Sequence, residues 1–78
     1  MMTHPKTANY RAYLFDDSSK QVFYVRITKN EYVELSTCGF KCFRIMRDGF
    51  NEYSVQTHDT ALWRMYLTGR KPKKLKKS

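Results

Sequence analysis

No apolar run in this sequence approaches the ~20 residues that a membrane-crossing helix needs, so a helical span is not expected. The start, MMTHPKTANY, is polar and has no apolar h-region, which argues against a secretory leader. Cysteine is scarce: Cys38 and Cys42 can form at most one disulfide, and reduced thiols in a cytoplasmic (or, in a eukaryote, nuclear) protein are expected. Their C-x3-C spacing lacks a second close pair of ligands, since His4 and His58 stand alone, so neither a zinc site nor any other cofactor is expected. A catalytic motif is missing as well. His58 and Asp59 are neighbours, whose side chains do not face each other on a strand, and Asp59 is better placed as a helix cap. A chain of 78 residues also leaves little room for a water-excluding pocket, and no enzyme is expected.

What is present is positive charge and aromatic surface. The net charge is +8, which points to polyanionic partners. The distribution tempers that signal. Arg70, Lys71, Lys73, Lys74, Lys76 and Lys77 crowd into the terminal GRKPKKLKKS, and residues 1–69 carry 9 basic and 7 acidic groups, a net of +2. The tail can supply affinity by releasing counterions from phosphates, but specificity must come from the folded part. As an address, KPKKLKK matches the composition of a nuclear-localisation signal, and as a membrane signal it lacks a second anchor, so no membrane partner is expected.

Along the chain, residues 1–9 show no apolar periodicity and read as a flexible arm, 10–69 as a single domain, and 70–78 as a disordered basic tail. YRAYLFD (10–16) suits a strand, DSSK (17–20) a turn, and QVFYVRI (21–27) a strand with Phe23, Val25 and Ile27 on one face and Val22, Tyr24 and Arg26 on the other. TKN is a second short turn, and EYVELST (31–37) alternates Val33 and Leu35 with Tyr32, Glu34 and Ser36, which predicts a third strand in an antiparallel meander.

Residues 38–57 admit two readings. Asp48-Gly49 between FKCFRIMR and NEYSVQT is a hairpin signal, and the hairpin is favoured. The alternative is a helix capped by Thr37, with Phe40, Phe43 and Met46 in one stripe, Lys41, Arg44 and Arg47 in another, and Gly49 as its stop. Further on, Asp59 caps TALWRMYLTG, whose stripe of Leu62, Trp63, Tyr66 and Leu67 predicts a helix ending at Gly69.

The expected fold is therefore α+β: a small antiparallel sheet of three to five strands, one C-terminal helix packed across it, and the basic tail. A small five-stranded barrel closed by the same helix is the alternative. Leu14, Phe23, Val25, Ile27, Val33, Leu35, Leu62, Trp63 and Tyr66 are expected in the core. A three-stranded sheet followed by a helix is also the plan of plant AP2-type domains and of the arm-binding domains of some phage-type integrases. VQTHDTALWRMY (55–66) faintly resembles the turn and helix that follow the sheet there, which implies DNA binding, although residues 38–52 have no counterpart. CGFKCF (38–43), by contrast, fails the aromatic sheet motif of single-strand RNA-binding domains at three of its five positions.

The site expected from these patterns interleaves cations with aromatics. Arg11, Tyr24, Arg26 and Tyr32 would contact nucleic acid from the sheet, and Lys41, Arg44 and Arg47 would contact its backbone. Arg70, Lys71, Lys73, Lys74, Lys76 and Lys77 would add affinity. The function expected is that of a small non-catalytic nucleic-acid-binding protein, DNA rather than RNA, of the regulatory or accessory kind common in compact genomes such as those of phages. The alternative is a protein-interaction module or inhibitor that docks an aromatic face or edge strand on an acidic partner protein.

Overall fold

Alternating apolar residues set the first hairpin. The computed structural model describes residues 8–47 and 49–75. In it β1 (Ala8–Asp16) and β2 (Gln21–Arg26) pair antiparallel with Leu14 opposite Phe23 and Ala12 opposite Val25. The turn between them is locked by Asp16, whose carboxylate accepts from the Ser18 amide (3.2 Å) and from the hydroxyls of Ser18 and Ser19 (2.9 Å each). These bonds hold the Asp16 carboxyl below its ordinary pKa, Ser18 and Ser19 being the main causes. Of the expected N-terminal arm, residues 1–7 lie outside the described residues, and Ala8 and Asn9 already belong to β1.

The segment expected to be the third strand is a helix, α1 (Lys29–Ser36). The cause is a capping box: Thr28 Oγ1 accepts from the Glu31 amide at 3.2 Å, and Glu31 Oε1 accepts from the Thr28 amide at 2.9 Å. Helical spacing turns Tyr32 and Leu35 inward and leaves Val33 52% exposed, so the strand-like alternation of Val33 with Leu35 has no structural meaning.

The second hairpin follows the favoured reading. Strands β3 (Lys41–Arg47) and β4 (Phe50–Thr57) pair antiparallel with Arg47 opposite Phe50, and Gly49 takes φ +80°. Asp48 itself lies outside the described residues. Helix α2 (Thr60–Tyr66) starts at Asp59, whose Oδ1 accepts from the Leu62 amide at 3.1 Å, and buries Trp63 and then Leu67. Tyr66, expected in the core, is exposed.

Two ββα units thus follow one another, and they join through β1 and β4, which run parallel with Ala12 opposite Val55. The sheet has the order β3-β4-β1-β2-β5 and is mixed rather than antiparallel. The expected meander with a single closing helix, and the sheet plan shared by AP2-type and integrase arm-binding domains, both give way to this arrangement, because the capping box at Thr28 diverts the chain before a third consecutive strand can form. The segment expected to be a disordered tail contributes a strand. Its Lys73–Lys74 form the short β5 antiparallel to β2, and the Leu75 amide donates to the Val22 carbonyl at 2.8 Å. Free backbone groups on the β2 edge, which alternation alone does not reveal, provide the partner.

One core lies between the sheet and both helices: Ala12, Leu14, Val25, Ile27, Leu35, Phe40, Val55, Trp63 and Leu67, with Tyr10, Phe23, Tyr32 and Leu62 packed against it. Among the described residues no helix is long and apolar enough to cross a membrane.

Candidate nucleic-acid interface

Because α1 and α2 share one face of the sheet, no element among the described residues covers the opposite face. The pleat decides what stands there. With Ala12, Leu14 and Val25 turned to the core, Arg11, Tyr13 and Phe15 of β1 and Val22, Tyr24 and Arg26 of β2 point the other way. In β4 the open face receives Glu52, Ser54 and Gln56, and in β3 Lys41, Phe43 and Ile45.

Arg11 is the centre of this face. Its Cζ lies over the Tyr24 ring, 5.4 Å from the centroid, and one terminal nitrogen is 3.5 Å from the Tyr13 hydroxyl and 3.4 Å from the Glu52 carboxylate. The bond to Tyr13, with the charge of Glu52 behind it, raises the Arg11 pKa above its ordinary value against the cost of partial burial. Arg26 stands directly opposite Arg11 in the pairing of β1 with β2 and is exposed. Like charges in direct cross-strand register cost stability, typically a few tenths of a kcal/mol, and here the pair is retained.

Beside it a groove of about 340 Å³ is lined by Tyr24, Val25, Arg26, Arg70, Lys71 and Lys73. Lys73 reaches the groove because β5 sets it opposite Tyr24. Arg70 is anchored differently: its guanidinium donates to the Arg26 carbonyl at 3.2 Å and pairs with the Glu31 carboxylate at the start of α1. The bond to Arg70 is the main cause holding the Glu31 carboxyl below the usual carboxylate range. Two segments far apart in sequence therefore build one cationic wall beside an aromatic ring.

Of the residues singled out by sequence pattern, the fold brings Arg11, Tyr24, Arg26, Arg70, Lys71 and Lys73 together. Lys41 lies on the same open face at the far edge strand. Tyr32 does not belong to this face: α1 carries it to the helix side, where its ring lies 5.4 Å from that of Tyr10 and 5.7 Å from that of Tyr53. Burial, then the neighbouring Cys42 thiol, raises the Tyr32 pKa. Arg44 alternates away from Lys41 and stands opposite Tyr53 on the helix side. Arg47 closes β3 opposite Phe50, Lys74 faces Phe23 on the helix side, and Lys76 and Lys77 lie outside the described residues.

Tyr13 and Phe43 also stand on this face, although neither is among the contacts expected from sequence. Their rings are 6.3 Å apart and nearly parallel, and Tyr13 lies 6.0 Å from Tyr24. The signal for Tyr13 was available in the parity of β1, two residues from Arg11; that for Phe43 needed the order of the sheet. A larger cleft of about 530 Å³ between α2, the first hairpin and residues 69–72 has Leu14, Phe23, Trp63, Leu67 and Pro72 as its apolar lining, with Asp16, Arg64 and Arg70 at the sides, so its charges are of both signs. Among the described residues no group of three or more His, Cys, Asp or Glu side chains is placed to hold a metal ion, and both cysteines are free.

Comparison with family models, with curated proteins and with solved structures finds no match for this chain.

Proposed function

We propose that this protein is a small non-catalytic nucleic-acid-binding protein of a regulatory or accessory kind, acting on DNA in the cytoplasm or, in a eukaryote, the nucleus. The observation that carries this reading is the groove of Tyr24, Arg26, Arg70, Lys71 and Lys73 beside the Arg11–Tyr24 stack. Such a groove offers phosphate contacts and an aromatic surface within reach of one ligand. The test is a binding titration with DNA across a range of salt. Replacing both Arg26 and Lys73 by alanine should weaken binding at ~50 mM salt and shallow the log–log salt slope by about 0.7 to 0.9 for each lost phosphate contact. Absence of binding at ~50 mM salt would remove the reading.

A second reading is supported by a different observation. Met46 and Phe50 at the facing ends of β3 and β4 are exposed, as is Ile45, and among the described residues β3 is an edge strand with one side unpaired. An acidic partner protein could add a strand there. Under that reading Met46→Lys abolishes partner binding, while the Arg26 and Lys73 substitutions leave it unchanged.

A further inference from the structure

The open face carries more than a cationic groove. Following the strand pairing from one edge to the other, Lys41, Gln56, Tyr13, Tyr24 and Lys73 stand in a single row across all five strands. At about 4.8 Å per strand the row spans roughly 19 Å, with an ammonium group at each end and two tyrosines at its middle. The next row places Phe43, Ser54, Arg11 and Arg26 side by side. Phe43, Tyr13 and Tyr24 form a chain of rings with centroids 6.3 and 6.0 Å apart and interplanar angles of 28° and 40°. Ser54, the small residue between Phe43 and Arg11, is fully buried beneath this layer.

Charge on these strands complements a polyanion. Lys41, Arg11, Arg26 and Lys73 face outward, and the carboxylate among them, Glu52, is spent on Arg11. Arg26 has no ion-pair partner among the described residues, and Arg11 Nε has no hydrogen-bond partner there. The layer is also open along its side. Phe43, Tyr13 and Phe15 line a shallow depression of about 350 Å³ with Val22, Ile45 and Leu75, which widens the apolar floor beside the cations.

We propose that the ligand is a single-stranded nucleic acid laid across the strands, its bases on Phe43, Tyr13 and Tyr24 and its phosphates on Lys41, Arg26 and Lys73. This rests on the nucleic-acid reading above and narrows it. Duplex DNA keeps its bases stacked inside, so it can use the cations but not the rings. Only an unpaired strand can engage both, and the spacing of the row makes it do so at once.

The experiment is fluorescence anisotropy with the full chain and three labelled probes of ~12 nucleotides: a thymidine DNA strand, a uridine RNA strand and a DNA duplex. A single strand is expected to bind at least about 10-fold more tightly than the duplex at ~100 mM salt. Tyr13→Leu and Phe43→Leu should each weaken single-strand binding by about 5- to 100-fold without changing the salt slope, and Tyr13→Phe should keep it. The unchanged slope and the recovery by Phe separate a lost stacking contact from a damaged sheet, and the melting temperature of each variant checks that it is folded. Duplex binding equal to or tighter than single-strand binding, with Tyr13→Leu and Phe43→Leu silent, would overturn this inference and leave the broader reading standing. Failure to bind any of the three probes would overturn both. Binding that survives the leucine variants while an acidic peptide competes for the face would assign it to a protein partner and overturn the inference.

Discussion

Glu31 and Arg70, 39 positions apart, share one ion pair at the start of α1. The two carboxylate oxygens of Glu31 divide the work: Oε1 closes the capping box on the Thr28 amide, and Oε2 takes the guanidinium of Arg70. The root of the basic tail is thereby tied to the first turn of a helix, and the adjoining segment reaches the β2 edge as β5.

That pairing predicts an acid-sensitive contribution to stability. The folded pKa of Glu31 is lowered, so its stabilisation is present above the unfolded carboxylate value and is lost as pH falls through the folded one. Glu31→Gln keeps the capping geometry, because an amide can still accept from Thr28, but it removes the charge. With both side chains partly exposed the loss at neutral pH should be under about 1 kcal/mol. Denaturant midpoints measured for both proteins should converge as pH is lowered toward 3 and differ at pH 7.

Thr28→Ala tests whether α1 is a helix for the reason given. Losing the cap hydroxyl should cost about 1 kcal/mol, readable in urea unfolding. Lys29→Ala, an exposed position in the same turn, should leave stability almost unchanged. If α1 were instead a strand, Thr28→Ala would have no such effect.

Leu35 is 2% exposed and belongs to the single core. Leu35→Ala should lower stability by about 2 to 5 kcal/mol, enough to unfold much of so small a domain at 37 °C. Val33→Ala, two residues away and exposed, should cost less than about 0.5 kcal/mol. Thermal melts of the pair distinguish helical from strand spacing in this segment, since a strand would bury both.

Arg26→Gln should separate stability from binding. It removes the like charge facing Arg11 and should leave stability unchanged or raise it by a few tenths of a kcal/mol. Nucleic-acid affinity should fall, with a shallower salt slope. A variant that binds as tightly as the parent protein would remove Arg26 from the interface.

Gly49→Ala probes the hairpin that was legible from Asp48-Gly49. Gly49 takes φ +80°, and a Cβ there would meet no atom within 4 Å beyond its chain neighbours. The expected loss of about 1 kcal/mol in a chemical melt is then local, the cost of holding a Cβ against its own backbone at positive φ, with no clash against the rest of the fold.

Much of the scaffold could be read residue by residue. Aromatic-rich composition identified β1 and period-two alternation identified β2, turning Tyr24 and Arg26 to one face, which Arg11 joins once Leu14 turns inward. The glycine of the second turn identified β3 and β4, and Asp59 marked the start of α2. These are local signals, written in residues close together in the chain. The capping box of Thr28 with Glu31 is local too, but the strand-like alternation of Val33 with Leu35 masks it, and reading that alternation as a strand changes the topology of the whole sheet.

The candidate interface was legible only in pieces. Composition and parity supplied its cations and Tyr24, but the parallel pairing of β1 with β4 brings Phe43 to Tyr13, and the docking of the tail on β2 brings Lys73 to Tyr24. Both depend on which strand edges meet, and edge pairing is set by backbone hydrogen bonds and shared core burial between segments distant in sequence. Local pattern sets which side chains each strand presents. Long-range edge pairing sets which strands stand side by side, and so which of those side chains form one surface.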